Sequence, residues 1–241
     1  MKKITQSWIY SFVIMGVFLM IISGCQKKDD NNNTPPTTET VTDKDGNVYH
    51  TVSIGTQTWL VENLKTTKYN DGTAIPLVTD NTFWPSLITP GYCWYKHDSA
   101  TYKNTYGALY NWYVVNTGKL CPIGWHVPTD AEWTTLATYL GGDTVAGGKM
   151  KAIGTIEAGT GLWVSPNTGA TNESGFTAVP AGYCDGNGTF GDIGNYGYWW
   201  SSSEENTSNI WSRYVTHDHS GVYRDPNIKG FGFSVRCLKD T

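Results

Sequence analysis

Arginine is nearly absent from this chain: Arg213, Arg224 and Arg236 are its whole complement in 241 residues, against 21 aspartates and glutamates. With a net charge of −4, that scarcity argues against a phosphate backbone as partner, and so against nucleic acid. Leucine is also sparse, so an aliphatic core is not what this sequence builds. No Cys-x-x-Cys or His/Cys spacing of a zinc site is present, and no Gly-x-Ser-x-Gly turn presents a serine nucleophile. No Pro/Ser-rich break divides residues 41–241, which read as one domain within the usual size range. What abounds is aromatic and turn chemistry, with 11 tryptophans, 15 tyrosines and 27 glycines. That profile fits a loop-rich extracellular fold braced by rings.

The first 24 residues read as a signal peptide: Lys2 and Lys3 lead, an apolar run follows over residues 8–22, and Ser23-Gly24 precede Cys25. The ending resembles a lipobox, which implies cleavage before Cys25 and acylation of that residue. Each buried methylene adds roughly 0.8 kcal/mol, so a multiply acylated cysteine is a durable anchor. An uncleaved transmembrane helix is the competing reading, but the run is short and lacks a charged stop. Residues 25–40 carry no apolar side chain for a core and read as a solvated tether. Their Lys27-Lys28-Asp29-Asp30 segment resembles the signal that sends bacterial lipoproteins to the outer face of the outer membrane. The expected location is therefore the cell envelope, as an outer-membrane lipoprotein facing the exterior.

Beyond Cys25 four cysteines remain, Cys93, Cys121, Cys184 and Cys237, an even number suited to an oxidising compartment. Three pairings are possible. Cys121 opens the segment that leads to the strongest helix and Cys237 lies in the final strand, which favours a bond between them and leaves Cys93 with Cys184 by elimination.

Local patterns predict short strands, tight turns and two or three helices. Residues 41–49 read as a hairpin around Asp45-Gly46-Asn47, with strand continuing to residue 60. An EF-hand loop would need a distal glutamate that is missing, so this turn and Asp185-Gly186-Asn187-Gly188 are read as plain turns. Thr129 and Glu132 form a capping box for a helix with Trp133, Leu136, Ala137 and Leu140 inward, stopped by Gly141-Gly142. This makes Asp130 and Glu132 helix-start carboxylates rather than an acid/base pair. A second helix is predicted over residues 106–115, with Leu109, Trp112 and Tyr113 inward, and a third over 143–151 capped by Asp143.

Several ordered motifs resemble the Fibrobacter succinogenes major paralogous domain. They include Ile54-Gly55-Thr56-Gln57-Thr58-Trp59, Glu62-Asn63-Leu64, Tyr106-Gly107-Ala108-Leu109-Tyr110-Asn111-Trp112 and Cys121-Pro122-Ile123-Gly124-Trp125-His126. Glu173-Ser174-Gly175-Phe176, Tyr198-Trp199-Trp200-Ser201-Ser202 and Gly232-Phe233-Ser234-Val235-Arg236-Cys237 complete the set. The likeness spans residues 41–240 and implies a bacterial envelope protein. A more distant similarity, to the formylglycine-generating enzyme superfamily, implies an α+β, C-type lectin-like fold. Such a fold has twisted, mostly antiparallel sheets, two or three helices and long loops, with the first and last strands paired. Ser165-Pro166-Asn167 lacks the carboxylate of calcium-dependent lectins, and a Cys237 held in a disulfide lacks the thiolate that the enzymes need.

The expected ligand region is residues 196–211, where rings adjoin hydroxyl, amide and carboxylate groups, the combination that sugars require. Tyr198, Trp200, Glu204, Glu205, Asn206 and Asn209 are its candidate contacts, one of Trp199 and Trp200 being core because adjacent strand residues face opposite ways. His217 and His219 would share a strand face, yet two histidines without a placed carboxylate read as a polar turn. His126 reads as a satisfied core histidine. The function expected is a surface-anchored, non-catalytic binding module for a glycan or an extracellular protein, without metal or cofactor. A structural role in an envelope assembly is the alternative, and an enzyme related to formylglycine generation stands third. A contiguous patch of exposed tryptophans would favour binding, and their complete burial a structural role.

Overall fold

The computed structural model describes residues 39–241. The signal peptide, Cys25 and residues 26–38 of the tether lie outside the described residues. Thr40, placed by sequence at the end of the tether, already opens β1 (Thr40–Thr42), which pairs antiparallel with β2 (Val48–Ile54) as the expected hairpin. Asp43 explains the turn. Its Oδ1 accepts the backbone N–H groups of Asp45 and Asn47, both at 2.9 Å, and its Oδ2 accepts the Tyr49 hydroxyl at 2.7 Å. A carboxylate so occupied closes a turn rather than lining an ion loop.

The strand predicted to continue to residue 60 breaks instead at Gly55, whose φ of 62° is left-handed and turns β2 into β3 (Gln57–Leu60). The Tyr139 ring lies over that turn, and a Cβ on Gly55 would come within 2.8 Å of it. β12 (Leu238–Lys239) then inserts between β3 and β6 (Trp125–His126), giving a first sheet of order β1-β2-β3-β12-β6. The two ends of the domain thus meet in one sheet. A second sheet has the order β11 (Val222–Ile228), β10 (Asn209–Thr216), β9 (Tyr196–Glu204), β7 (Ala181–Cys184), β8 (Phe190–Ile193), antiparallel except where β7 meets β9. β4 (Tyr92–Cys93) and β5 (Leu109–Tyr110) form a short ribbon. The fold is α+β, mostly sheet with short helices.

The capping box forms as read: Thr129 Oγ1 accepts the Glu132 N–H, and Glu132 Oε2 accepts the Thr129 N–H at 2.7 Å, starting α3 (Asp130–Tyr139). α4 (Asp143–Met150) follows, with Gly142 rather than Asp143 at its cap. The helix predicted over residues 106–115 forms only at its far end, and a helix that the sequence reading did not place precedes it. α1 (Ser99–Tyr106), capped by Asp98, ends at Gly107, and α2 (Trp112–Val115) starts afresh beyond β5 under an Asn111 cap. Gly107 causes the break, because its φ is 79° and a Cβ there would lie 2.6 Å from the Leu64 carbonyl oxygen. Leu109 and Trp112 are buried as expected, whereas Tyr113 is half-exposed.

Rings fill the space between α3 and the sheets. Trp133 lies 4.8 Å from Trp59, 6.0 Å from Phe176 and 6.2 Å from Trp199, all essentially solvent-free. Aromatic pairs of this kind add about 0.5–1.5 kcal/mol each beyond the area they bury. Asn63 sits beside them as a polar node. Its Oδ1 accepts the Trp199 Nε1–H at 2.8 Å and an Arg236 Nη2–H at 3.0 Å, while its Nδ2 donates to the Tyr106 carbonyl at 2.9 Å and to Ser234 Oγ at 3.1 Å. Arg236 is wholly buried, donates also to the Phe176 carbonyl, and stacks 4.0 Å from the Phe176 ring. Burial pulls its pKa below the ordinary arginine range.

Candidate functional site

β9 is a central strand, and that decides the fate of the adjacent tryptophans. One face of β9 meets α3, where Trp199 packs, and the other meets the cluster around Phe233, where Trp200 packs 4.6 Å from that ring and donates its indole N–H to the Tyr110 carbonyl at 2.8 Å. Both are 0% exposed. Trp200 is therefore corrected from ligand contact to core, because Phe233 and Tyr110 cover this end of the face it shares with Tyr198.

The polar candidates gather at the β9–β10 hairpin tip. Glu204 is paired with Lys229 at 2.9 Å. Asn206 Oδ1 accepts the N–H groups of Ser208 and Asn209 at 2.8 and 3.0 Å, and its amide donates to Glu205. Asn209 is held in register with Ile228. These groups close and brace a turn. At about 3.3 Å per residue, the six-residue span from Tyr198 to Glu204 is roughly 20 Å, so the structure separates Tyr198 from the other candidates. Nor does Trp211 offer a free ring, because the Arg224 guanidinium lies 3.2 Å from its centroid while also binding Asp130.

Tyr198 belongs to a different assembly, which the sequence reading missed. In register across three strands, Tyr223 of β11 faces Tyr214 of β10, which faces Tyr198 of β9, and Tyr196 lies two residues away on the same side. Centroids are 5.0 Å apart for Tyr214 and Tyr223, 5.4 Å for Tyr198 and Tyr214, and 5.5 Å for Tyr196 and Tyr198, with Tyr183 of β7 edge-on to Tyr198 at 5.7 Å. All five are half-buried. Burial raises the phenol pKa values of Tyr183, Tyr196, Tyr198 and Tyr214, and none of these four hydroxyls is hydrogen-bonded to a described residue. A ladder of rings with free hydroxyls along its rim can stack against apolar C–H groups and exchange hydrogen bonds at the same time. Alternation at residues 196, 198, 214 and 223 was the available signal, hidden by the louder tryptophan pair. At its β11 end the ladder opens on a cleft of about 440 Å³ bordered by Thr144, His219, Tyr223 and Arg224.

The histidines take structural parts. β10 ends at Thr216, so His217 and His219 share no strand face. His217 Nδ1 bonds the Ser165 carbonyl at 3.0 Å, and His219 Nδ1 bonds Asp218 at 2.8 Å. The loop is pinned from below by Lys151, whose ammonium donates to the carbonyls of Thr168, Thr216 and His219 at 2.8–2.9 Å. Among the described residues, no group of three or more His, Cys, Asp or Glu side chains could hold a metal. His126 is satisfied as expected but half-exposed rather than core, its Nδ1 lying 2.7 Å from Asp240 and its Nε2 3.0 Å from Glu132. Desolvation opposes its charge, yet the bonds to Asp240 and Glu132 prevail and raise its pKa above 6.5. Its contribution is therefore fully present below about pH 6.5 and fades as pH climbs through the raised value. Melting temperature should fall between pH 6 and pH 8, and His126→Gln should flatten that slope. An unchanged slope in the variant would remove this clamp from the account.

Cys121 and Cys237 are bonded, with Cα atoms 6.0 Å apart. Cys93 and Cys184 are free thiols, which corrects the pairing reached by elimination. They lie buried together among Trp84, Tyr95 and Leu109, and burial pushes the Cys93 thiol up. An apolar shell of this kind holds a thiol as readily as any small hydrophobe, so an even count did not require a second bond.

Residues 52–239 match the Fibrobacter succinogenes major domain. The chain belongs to that family. No curated protein and no solved structure matches it. In this major domain the motifs behind the resemblance converge on one place. Asn63, Tyr106, Phe176, Trp199, Ser234 and Arg236, drawn from five separate motifs, are the members of the buried node described above. Those motifs thus meet in the core, and of the ladder tyrosines Tyr198 alone belongs to one of them.

Proposed function

We propose that this major domain is a non-catalytic binding module, held at the cell surface by an acylated Cys25, and that its tyrosine ladder retains a glycan. The observation that carries the reading is the row of five half-buried tyrosines, the hydroxyls of Tyr183, Tyr196, Tyr198 and Tyr214 unengaged among the described residues, running into a cleft on the β11 side. Sugars present C–H faces and hydroxyl edges together, and the ladder offers the complement of both. Anchor and tether rest on the sequence pattern of residues 1–40.

The test is a glycan array probed with the purified full chain, wild type against a Tyr198→Leu/Tyr214→Leu variant. Affinity for any retained glycan should fall at least tenfold, or about 1.4 kcal/mol, with the melt of the variant monitored to show that it folds. Retention unchanged by the double substitution would refute the ladder as the site. Mass spectrometry of the native protein should find a diacylated or triacylated Cys25 at the N-terminus, and an intact, unlipidated start would refute the anchor.

A second reading draws on a specific observation. Nine tryptophans beyond residue 40 are buried, and the tenth, Trp211, is covered by Arg224. By the criterion of tryptophan exposure these rings serve the core, which favours a structural part in an envelope assembly. An array with no retained glycan, together with a stable complex recovered by cross-linking on intact cells, would favour that role.

A further inference from the structure

We infer that the ladder takes a linear, extended, β-(1→4)-linked glycan of about four sugar units, lying across the strands with one unit to each rung. This rests on the ladder being the binding surface. Its register carries the inference. Tyr198 of β9 pairs with Tyr214 of β10, and Tyr214 with Tyr223 of β11, so three rungs stand on one line across the strands. Gly182 of β7 pairs in parallel with Gly197 of β9, and the residues that follow them, Tyr183 and Tyr198, continue that line on the same face. Four neighbouring strands thus supply one ring each, with centroid steps of 5.0, 5.4 and 5.7 Å.

The line is bounded at both ends. On the β8 side Tyr183 pairs with Gly191, and a Cβ there would come within 2.7 Å of the Tyr183 hydroxyl, so that phenol lies over β8 where a fifth rung would otherwise stand. On the other side β11 is the edge strand among the described residues, and the cleft beside Thr144 and His219 opens beyond Tyr223. At about 4.8 Å per strand, the three steps cover roughly 15 Å. Tyr196 lies along β9 beside the row, 5.5 Å from Tyr198, and widens it there without lengthening it.

A regular row selects a ligand with the same repeat. In a β-(1→4)-linked pyranose chain the equatorial bonds hold successive rings extended, each advancing by close to one rung, with hydroxyls along both edges. The phenols of Tyr183, Tyr198 and Tyr214, unengaged among the described residues, then meet one sugar each. An α-(1→4)-linked chain coils, so its units leave the line after the first contacts. Strand spacing fixes the rungs, so the row is formed before the ligand arrives, and each further unit engaged adds to binding with little ordering of the protein. Affinity should therefore grow with chain length as far as the fourth unit and then stop growing.

The experiment is calorimetric titration of the full chain with the dimer, trimer, tetramer and hexamer of β-(1→4)-linked glucose and with the tetramer of α-(1→4)-linked glucose. Affinity should rise about tenfold from the β-linked dimer to the tetramer, level off at the hexamer, and exceed that for the α-linked tetramer by about tenfold. Tyr183→Leu, at one end of the row, should abolish the gain between trimer and tetramer and keep the gain between dimer and trimer, with the melt followed to show that the variant folds. Tyr223→Leu should do the same from the other end. Equal affinity for the two tetramers would overturn the inference, as would no measurable binding of the β-linked tetramer, an affinity that ignores length, or one still climbing at the hexamer. A wild-type length profile in both end variants would overturn it too. If array glycans are lost in the Tyr198/Tyr214 variant but the dependence on length or linkage fails, the ladder stands and the extended chain falls. If array binding ignores the ladder substitutions, the underlying reading fails first.

Discussion

Removing the Cys121–Cys237 bond should lower the stability of the domain by about 2–5 kcal/mol. The bond spans 116 residues, so it removes a large share of the conformational freedom of the unfolded chain, and stabilisation of that origin grows with loop length. It also acts at a vulnerable place. β12 is two residues long, joined to β3 through Leu238 and to β6 through Leu238 and Lys239, and Cys237 immediately precedes it. The His126 clamp on Asp240 and the Lys239–Glu39 pair hold the same strand, but both are exposed and weak. A Cys121→Ala/Cys237→Ala variant should therefore show a lower melting temperature, with the earliest loss of amide protection at residues 238–239. A melt equal to that of the wild type would show that the crosslink is dispensable.

Asn63→Ala should be the most damaging single substitution at a polar residue. It strands the Trp199 indole N–H and one N–H of the Arg236 guanidinium in a solvent-free setting, and each buried donor left unpaired costs about 1–3 kcal/mol. The Tyr106 carbonyl and the Ser234 hydroxyl lose their donor as well. Arg236 suffers most, because burial already opposes its charge. Chemical denaturation should report a lower midpoint with an unchanged slope. A loss below about 1 kcal/mol, inside the range of a single ordinary hydrogen bond, would mean that water or a neighbouring group replaces the amide.

Local chemistry of the fold was legible where one short segment carried all the information. The Thr129/Glu132 box, the Gly141-Gly142 stop and the Asp43 turn each depend on side chains within a few residues, and each formed as read. The Cys121–Cys237 bond was legible because both ends adjoin recognisable elements. What failed depended on distant partners. Gly107 ends a helix because the Leu64 carbonyl occupies the space beside it, a contact across 43 residues that no periodicity carries. The burial of Trp200 follows from Phe233 and Tyr110 covering that end of β9, contacts with distant residues that alternation within the strand does not carry. The ladder likewise needs the register of β9, β10 and β11 to assemble, so its tyrosines looked scattered along the chain. Of the candidate residues, Tyr198 lies in the ladder, while Glu204, Glu205, Asn206 and Asn209 lie at the hairpin tip, a separation that follows from the length of β9.

The family motifs carry a related lesson. Because Asn63, Tyr106, Phe176, Trp199, Ser234 and Arg236 form one buried network, membership in the Fibrobacter succinogenes major domain family specifies how the chain packs.

The placement of β12 between β3 and β6 has a consequence for biosynthesis. The first sheet lacks the strand that joins β3 to β6 until residues 238–239 have left the ribosome, and the sulfur that locks it, on Cys237, emerges at the same moment. Closure of this sheet must wait until those residues have been made, so residues 39–237 emerge with β3 and β6 still unjoined.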